Sequence, residues 1–174
     1  MGAKILVVID MQNDFISGSL GTKEAVEIVP KVAQKISAWK GEVYFTQDTH
    51  MTNYLTTQEG KNLPVEHCIM MTEGWRIHSD ILKEEDVFPI FLKHTFGCDG
   101  VVQIIKKLED VEEIQLVGLC TDICVITNAL LLKTYFPDVP IVVDASCCAG
   151  VTPESHKRAL EAMKMCQIKI IGEE

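Results

Sequence analysis

Five apolar residues in a row, Ile5-Leu6-Val7-Val8-Ile9, stand between Lys4 and Asp10. A strand points successive side chains to opposite faces, so a run with no polar residue must be covered on both sides. Sheets covered on both sides are parallel, with helices in the crossovers. The rest of the chain alternates to match. Residues 22–39 carry apolar side chains at helical spacing (Ala25, Ile28, Val29, Val32, Ala33, Ile36, Trp39), and Pro30 would kink or split that helix. A second strand runs through Val43, Tyr44 and Phe45, over residues 42–47. Residues 48–72 read as mostly irregular, and a loop of that length in a compact domain is usually functional. A short helix is expected over 77–82. A third strand is expected over 87–93, placed at a sheet edge by Pro89, which lacks an N–H to donate. Helices over 99–109, 122–135 and 153–166 and strands over 113–119, 139–143 and 168–171 complete the series.

Six strands separated by helices define an α/β chain: a three-layer α/β/α arrangement around a parallel sheet. Right-handed crossovers put every strand's carboxyl end on one edge, where such sheets bind ligands. No linker, repeat or low-complexity tract interrupts the pattern, so residues 1–174 read as one domain.

Charge narrows the partners. The formal net charge is −9 over 174 residues, which argues against nucleic acid and anionic membranes, both of which need a basic face. No apolar run approaches the ~20 residues of a membrane helix. The start, Met1-Gly2-Ala3-Lys4-Ile5, runs directly into a strand, with no secretory signal and no Ser or Thr where a myristoylation signal places one. The seven cysteines are odd in number, as expected of reduced thiols in the cytoplasm rather than a disulfide frame. Cys147 and Cys148 adjoin an expected turn and carry no evident role.

The stretch from Leu116 to Ala129 concentrates the chemistry. It reads as a buried strand, a sharp turn at Gly118 and a helix that Thr121 or Asp122 can cap. Cys124 then lies in the first helical turn, where free N–H groups and the helix dipole favour a thiolate. A small apolar residue at a helix start is the plain alternative. Asp10, Asp48, Lys93 and Cys124 each stand at or just after a strand's carboxyl end, so the fold gathers them on one rim. Singly, each has an ordinary explanation, such as a turn cap or a solvated charge. Together, a carboxylate, an ammonium and a thiol make a nucleophile with its own base.

Val8-Ile9-Asp10-Met11-Gln12-Asn13-Asp14-Phe15 resembles the opening motif of the isochorismatase-like cysteine hydrolases, the superfamily that includes nicotinamidases. Lys93 and the block Gly118-Leu119-Cys120-Thr121-Asp122-Ile123-Cys124-Val125 resemble that family's other two catalytic blocks, in the same order. The resemblance implies a Rossmann-like six-stranded sheet of order 3-2-1-4-5-6 in a single hydrolase domain. It implies Asp10 as general base, Lys93 as its charge partner and Cys124 as nucleophile. It further implies a cis peptide between Leu119 and Cys120, and an oxyanion hole made by the backbone N–H groups of Cys120 and Cys124. Phe15 would contact substrate. Asp48, His50 and His67 resemble the metal site of nicotinamidases, which implies a divalent Zn, Mn or Fe ion and no nucleotide. His78, His94 and His156 lack such a context. Relatives' behaviour implies a homo-oligomer.

The activity implied is hydrolysis of a small-molecule amide C–N bond through a thioester, with nicotinamide giving nicotinate and ammonia. Many nicotinamidases place a Trp before the Pro that precedes the second metal His. Here the segment is Asn62-Leu63-Pro64-Val65-Glu66-His67, which leaves the amide open; Glu66 would be a fourth, acidic group at the metal, and Cys68 a soft one that the family pattern does not use. Trp75 could close over the site as a lid. An amidase for another amide or ureido substrate, an enol-ether hydrolase and a non-enzymatic interaction domain remain as alternatives.

Overall fold

The computed structural model describes residues 2–173. Six parallel strands form one sheet in the order β3-β2-β1-β4-β5-β6. They are β1 (Ala3–Ile9), β2 (Glu42–Asp48), β3 (Ile90–Lys93), β4 (Val111–Leu119), β5 (Ile141–Ala149) and β6 (Lys169–Ile171). The connecting helices are α1 (Asn13–Ile16), α2 (Lys23–Ala38), α3 (Gln58–Asn62), α4 (Asp99–Ile105), α5 (Ile126–Tyr135) and α6 (Pro153–Met165). This is the expected three-layer architecture and strand order.

Strand alternation divides the core in two. Ile5, Val7 and Ile9 pack with Val102 and Ile105 of α4, Leu132 of α5 and Leu160 and Met163 of α6. Leu6 and Val8 point the other way, onto Ala25, Ile28, Val29 and Val32 of α2. Both faces of β1 are therefore dry, which is what its unbroken apolar run requires.

Some local expectations differ. Pro30 lies inside α2 without splitting it. The proline is on the exposed side, where water can serve the carbonyl it frees, and the buried apolar stripe holds the helix to the sheet. Residues 77–82 form a single turn, with the Ile81 and Leu82 N–H groups donating to the His78 carbonyl, not a helix. Ile77 is held in a bridge to Gln12, which fixes the segment in an extended entry. The strand expected from residue 87 begins at Ile90, after Pro89, and β3 is an edge strand as that proline required. Cys147 and Cys148 lie inside β5, buried, rather than beside a turn. Gly118 is likewise in a strand. Its φ is +117°, and a Cβ there would lie 2.1 Å from the Ile9 carbonyl oxygen, so only glycine lets β4 pass β1 at this point.

Candidate active site

The rim forms at the carboxyl ends of β1–β4. Asp48 pairs in register with Lys93, and Asp10 directly follows Ile9, which faces Gly118 of β4. Lys93 is the hub. Its Nζ lies 2.7 Å from Asp10 Oδ2, 3.1 Å from Asp48 Oδ1, 3.1 Å from the Thr95 carbonyl oxygen and 3.5 Å from Cys124 Sγ. All four charged or thiol groups are buried, so the three residues drawn from distant parts of the sequence meet within bonding reach. Thr46 adds a link invisible in the sequence. Its hydroxyl donates to Asp10 Oδ1 at 2.6 Å and accepts from the Asp10 N–H, orienting the carboxylate. Asp10 itself has a φ of +45°, in the left-handed region a non-glycine residue rarely adopts.

Cys124 sits in a π-helical turn over Thr121–Val125 that leads into α5. Neither Thr121 nor Asp122 caps it. Thr121 Oγ1 is 2.7 Å from His156 Nδ1, and the Asp122 carboxylate accepts from the Val151 N–H. Asn128 instead stabilises the turn: its Nδ2 donates to the Cys124 carbonyl at 2.8 Å and its Oδ1 accepts from the Cys98 N–H. The Leu119–Cys120 peptide is cis.

The surroundings of Cys124 work against the thiolate that the helix start favours. Burial, then the Asp10 carboxylate, push the Cys124 thiol well above its ordinary range, and Lys93 offsets this only in part. Burial is the larger cause, and charge balance adds to it. Lys93 is already shared by two carboxylates, so a thiolate would be a third negative charge around one cation. Burial also raises the Asp10 carboxyl, Lys93 and Asp48 acting in opposite senses on it. Asp10 is thereby suited to receive a proton.

Asp48, His50 and His67 converge beside this cluster, each offering a ligand atom within 4.8 Å of the others. Asp48 Oδ2 is 3.0 Å from His50 Nε2 and 3.7 Å from His67 Nε2, while its Oδ1 faces Lys93. His67 Nδ1 lies 2.8 Å from the Val65 carbonyl, so Nδ1 carries the proton and Nε2 is left as a lone-pair donor. His50 Nε2 is buried without a hydrogen-bond partner. An orphaned imidazole nitrogen facing a carboxylate and a second imidazole is the donor set of a divalent metal. Tyr54 supports both rings edge-on, 4.7 Å from His50 and 5.0 Å from His67 between centroids.

The fourth group, an acidic one, is Glu59 and not Glu66. Glu59 Oε1 is 3.6 Å from His50 Nε2 and 3.8 Å from His67 Nε2, whereas Glu66 is exposed. Thr57 caps α3 and thereby aims Glu59 inward, a turn hidden in what reads as an irregular loop. Glu59→Ala is expected to weaken zinc binding by ~10–100-fold, read by competition with a chelating dye. An unchanged affinity would leave the three-residue set sufficient.

Phe15 lies against the metal cluster, its ring 5.5 Å from that of His67. Cys68 is buried in the same apolar cluster as Phe15, and burial raises its thiol strongly. Trp75 is not a free flap. Its indole N–H donates to Thr49 Oγ1, and its carbonyl accepts from the side chains of Gln12 and Gln47. His94 Nδ1 bonds the Thr49 carbonyl and His78 Nδ1 accepts from the Asp80 N–H, and neither is among the three residues that converge.

The isochorismatase-domain family model matches residues 4–174. A nicotinamidase/pyrazinamidase of Mycobacterium tuberculosis is 26% identical over 188 residues, covering 97% of this chain and 98% of that protein. A nicotinamidase of Escherichia coli is 25% identical over 198 residues, covering 95% and 92%. The pyrazinamidase of Pyrococcus horikoshii, solved in complex with zinc, superposes with a TM-score of 0.83 at 27% identity, covering 98% of this chain and 99% of that one.

Proposed function

Because the chain belongs to the isochorismatase family, we propose that it is a cysteine amidase that converts nicotinamide to nicotinate and ammonia, with Asp10, Lys93 and Cys124 as its catalytic residues. The observation that carries this reading is Lys93 Nζ in contact with both Asp10 and Cys124 at the strand ends. Relatives named as nicotinamidases, and a zinc-bound pyrazinamidase of the same fold, support the substrate and the metal.

Cys124 gives its proton to Asp10, and the sulfur attacks the amide carbonyl carbon. Lys93 offsets the charge that moves between them. The tetrahedral oxyanion is held by the N–H groups of Cys120 and Cys124; one such donor is worth ~2.7–4 kcal/mol in the transition state. The intermediate collapses as Asp10 returns the proton to the leaving nitrogen, which departs as ammonia. Asp10 then takes a proton from water, whose oxygen attacks the thioester carbon and releases the acid and the Cys124 sulfur, which recovers its proton from Asp10. A divalent ion held by Asp48, His50 and His67, with Glu59 alongside, would supply an electrophilic anchor for a ring nitrogen of the substrate. Phe15 supplies an aromatic wall beside His67.

Ammonia release measured across nicotinamide, pyrazinamide and small ureido compounds tests this reading. The expected result is turnover of the two heteroaromatic amides. Turnover of ureido compounds alone, or of none, would overturn it.

The same reading extends to setting. All seven cysteines are free, as in a reducing compartment, and we assign the enzyme to the cytoplasm as one domain over residues 1–174. Among the described residues no helix is long and apolar enough to cross a membrane. Ile90 and Leu92 on the edge strand, with nearby Phe96, are exposed apolar side chains that favour assembly into a homo-oligomer, which sedimentation would resolve.

A further inference from the structure

We infer that Gln12 is a positioning residue which, by clamping the main chain of Asp48, sets the one carboxylate that the metal cluster and the catalytic cluster share; this rests on the metal reading above. Gln12 is fully buried. Its Oε1 accepts from the Asp48 N–H at 2.7 Å, and its Nε2 donates to the Asp48 carbonyl at 2.9 Å. One side chain thus grips both main-chain polar groups of a single residue, as a neighbouring strand would. The same Nε2 reaches the Trp75 carbonyl at 2.7 Å. No other side chain of this size offers a donor and an acceptor side by side: Glu lacks the donor, and Met and Leu lack both.

Asp48 needs such a grip because its two oxygens serve different groups. Oδ1 is 3.1 Å from Lys93 Nζ and Oδ2 is 3.0 Å from His50 Nε2. A small rotation of the backbone at Asp48 would withdraw one oxygen from Lys93 or the other from the histidines. Gln12 stands two residues after Asp10, so the turn carrying the base also holds the carboxylate that bridges to the metal cluster. The Gln12 position in the motif is thereby explained by geometry rather than by contact with substrate.

Gln47 provides the control. Its Nε2 donates to the same Trp75 carbonyl at 2.8 Å but makes no side-chain bond to Asp48. The experiment compares wild type, Gln12→Met and Gln47→Met, each metal-free, by zinc affinity against a chelating dye and by the pH profile of Cys124 alkylation with iodoacetamide. Gln12→Met should lose ~10–100-fold in zinc affinity. Its alkylation profile should move to lower pH, because a displaced Asp48 no longer opposes a negative charge on Cys124. Gln47→Met should stay near wild type in both. Equal effects from the two variants would mean that both act only by anchoring residue 75, and would overturn the proposal. So would a folded Gln12→Met with unchanged affinity and profile. If Gln12→Met does not fold, Gln12→Asn, which keeps the amide but shortens its reach, is read on the same two measurements. A wild-type chain that takes up no zinc removes the metal reading, and the alkylation profile alone then decides for or against Gln12.

Discussion

Cys124→Ser is expected to lower amide turnover by ~10⁴–10⁶-fold while the melting temperature stays within a few degrees of wild type. Loss of a covalent nucleophile in an enzyme that relies on one costs rates of this order. The oxygen of serine is a far poorer nucleophile at the same Asp10, and the step it must perform has no substitute in the cluster. Stability is spared because Cys124 is held by backbone bonds, chiefly from Asn128, and one atom changes within a packed site. Steady-state ammonia release and thermal unfolding check the two halves. Persistent turnover would sink the covalent scheme, whatever happens to stability. The unmodified enzyme offers a companion test. Because burial and Asp10 hold the Cys124 thiol up, its alkylation in the absence of substrate should be slow near pH 7 and rise only in alkaline solution. A fast reaction at pH 7, confined to residue 124, would show that Lys93 dominates the resting site instead.

Lys93→Met is expected to destabilise the fold by ~3–5 kcal/mol, as removal of one partner from a buried ion pair does. It is a large effect because Lys93 is 3% exposed and neutralises two buried carboxylates: Asp10, which among the described residues pairs with no other cation, and Asp48, which otherwise faces only the His50 and His67 imidazoles. The sign of the pH dependence follows from those carboxyls. Without Lys93 the folded pKa of Asp10, already raised by burial, climbs further and Asp48 loses a charge that lowers its own, so the penalty is full at neutral pH and shrinks as the pH falls toward ~4, where the unfolded carboxyls also take up protons. In wild type the raised pKa of Lys93 contributes stability that is fully present at neutral pH and fades only in strongly alkaline solution. Asp10→Asn added to Lys93→Met should restore part of the loss, since it removes one of the two stranded charges. Denaturant unfolding at pH 5 and pH 7.5 measures all of this. A Lys93→Met variant as stable as wild type at both would mean that the carboxylates are already protonated in the fold, and that the ion-pair description is wrong.

The two predictions draw on different layers of what the chain encodes. Apolar runs, helical spacing and Pro89 are local signals with a fixed geometric meaning. They led to the sheet, its edge strand and the common rim without any contact being known. Asp10, Lys93 and Cys124 were legible because each stands at or just after a strand end, and parallel topology puts all such ends together. Phe15, Asp48, His50 and His67 followed from resemblance, and the fold brings all four into one neighbourhood.

What stayed hidden depends on distances between segments. Thr46 is an ordinary strand threonine until its hydroxyl is found against Asp10. Glu59 and Glu66 are equally plausible neighbours of a metal on paper, and only the short helix α3 decides between them. The Cys124 thiol is pulled against its local context: a helix start favours a thiolate, yet burial first, and then the carboxylates around Lys93, push the thiol up.

The order of residues by itself therefore determined the layers, the strand ends and the identity of the groups delivered to the rim, because period and crossover handedness are properties of the chain. Tertiary structure alone decided which groups share a charge, which proton sits where, and that Gln12 holds Asp48. Electrostatic balance depends on separations of a few ångströms across segments, and no spacing along the chain specifies those.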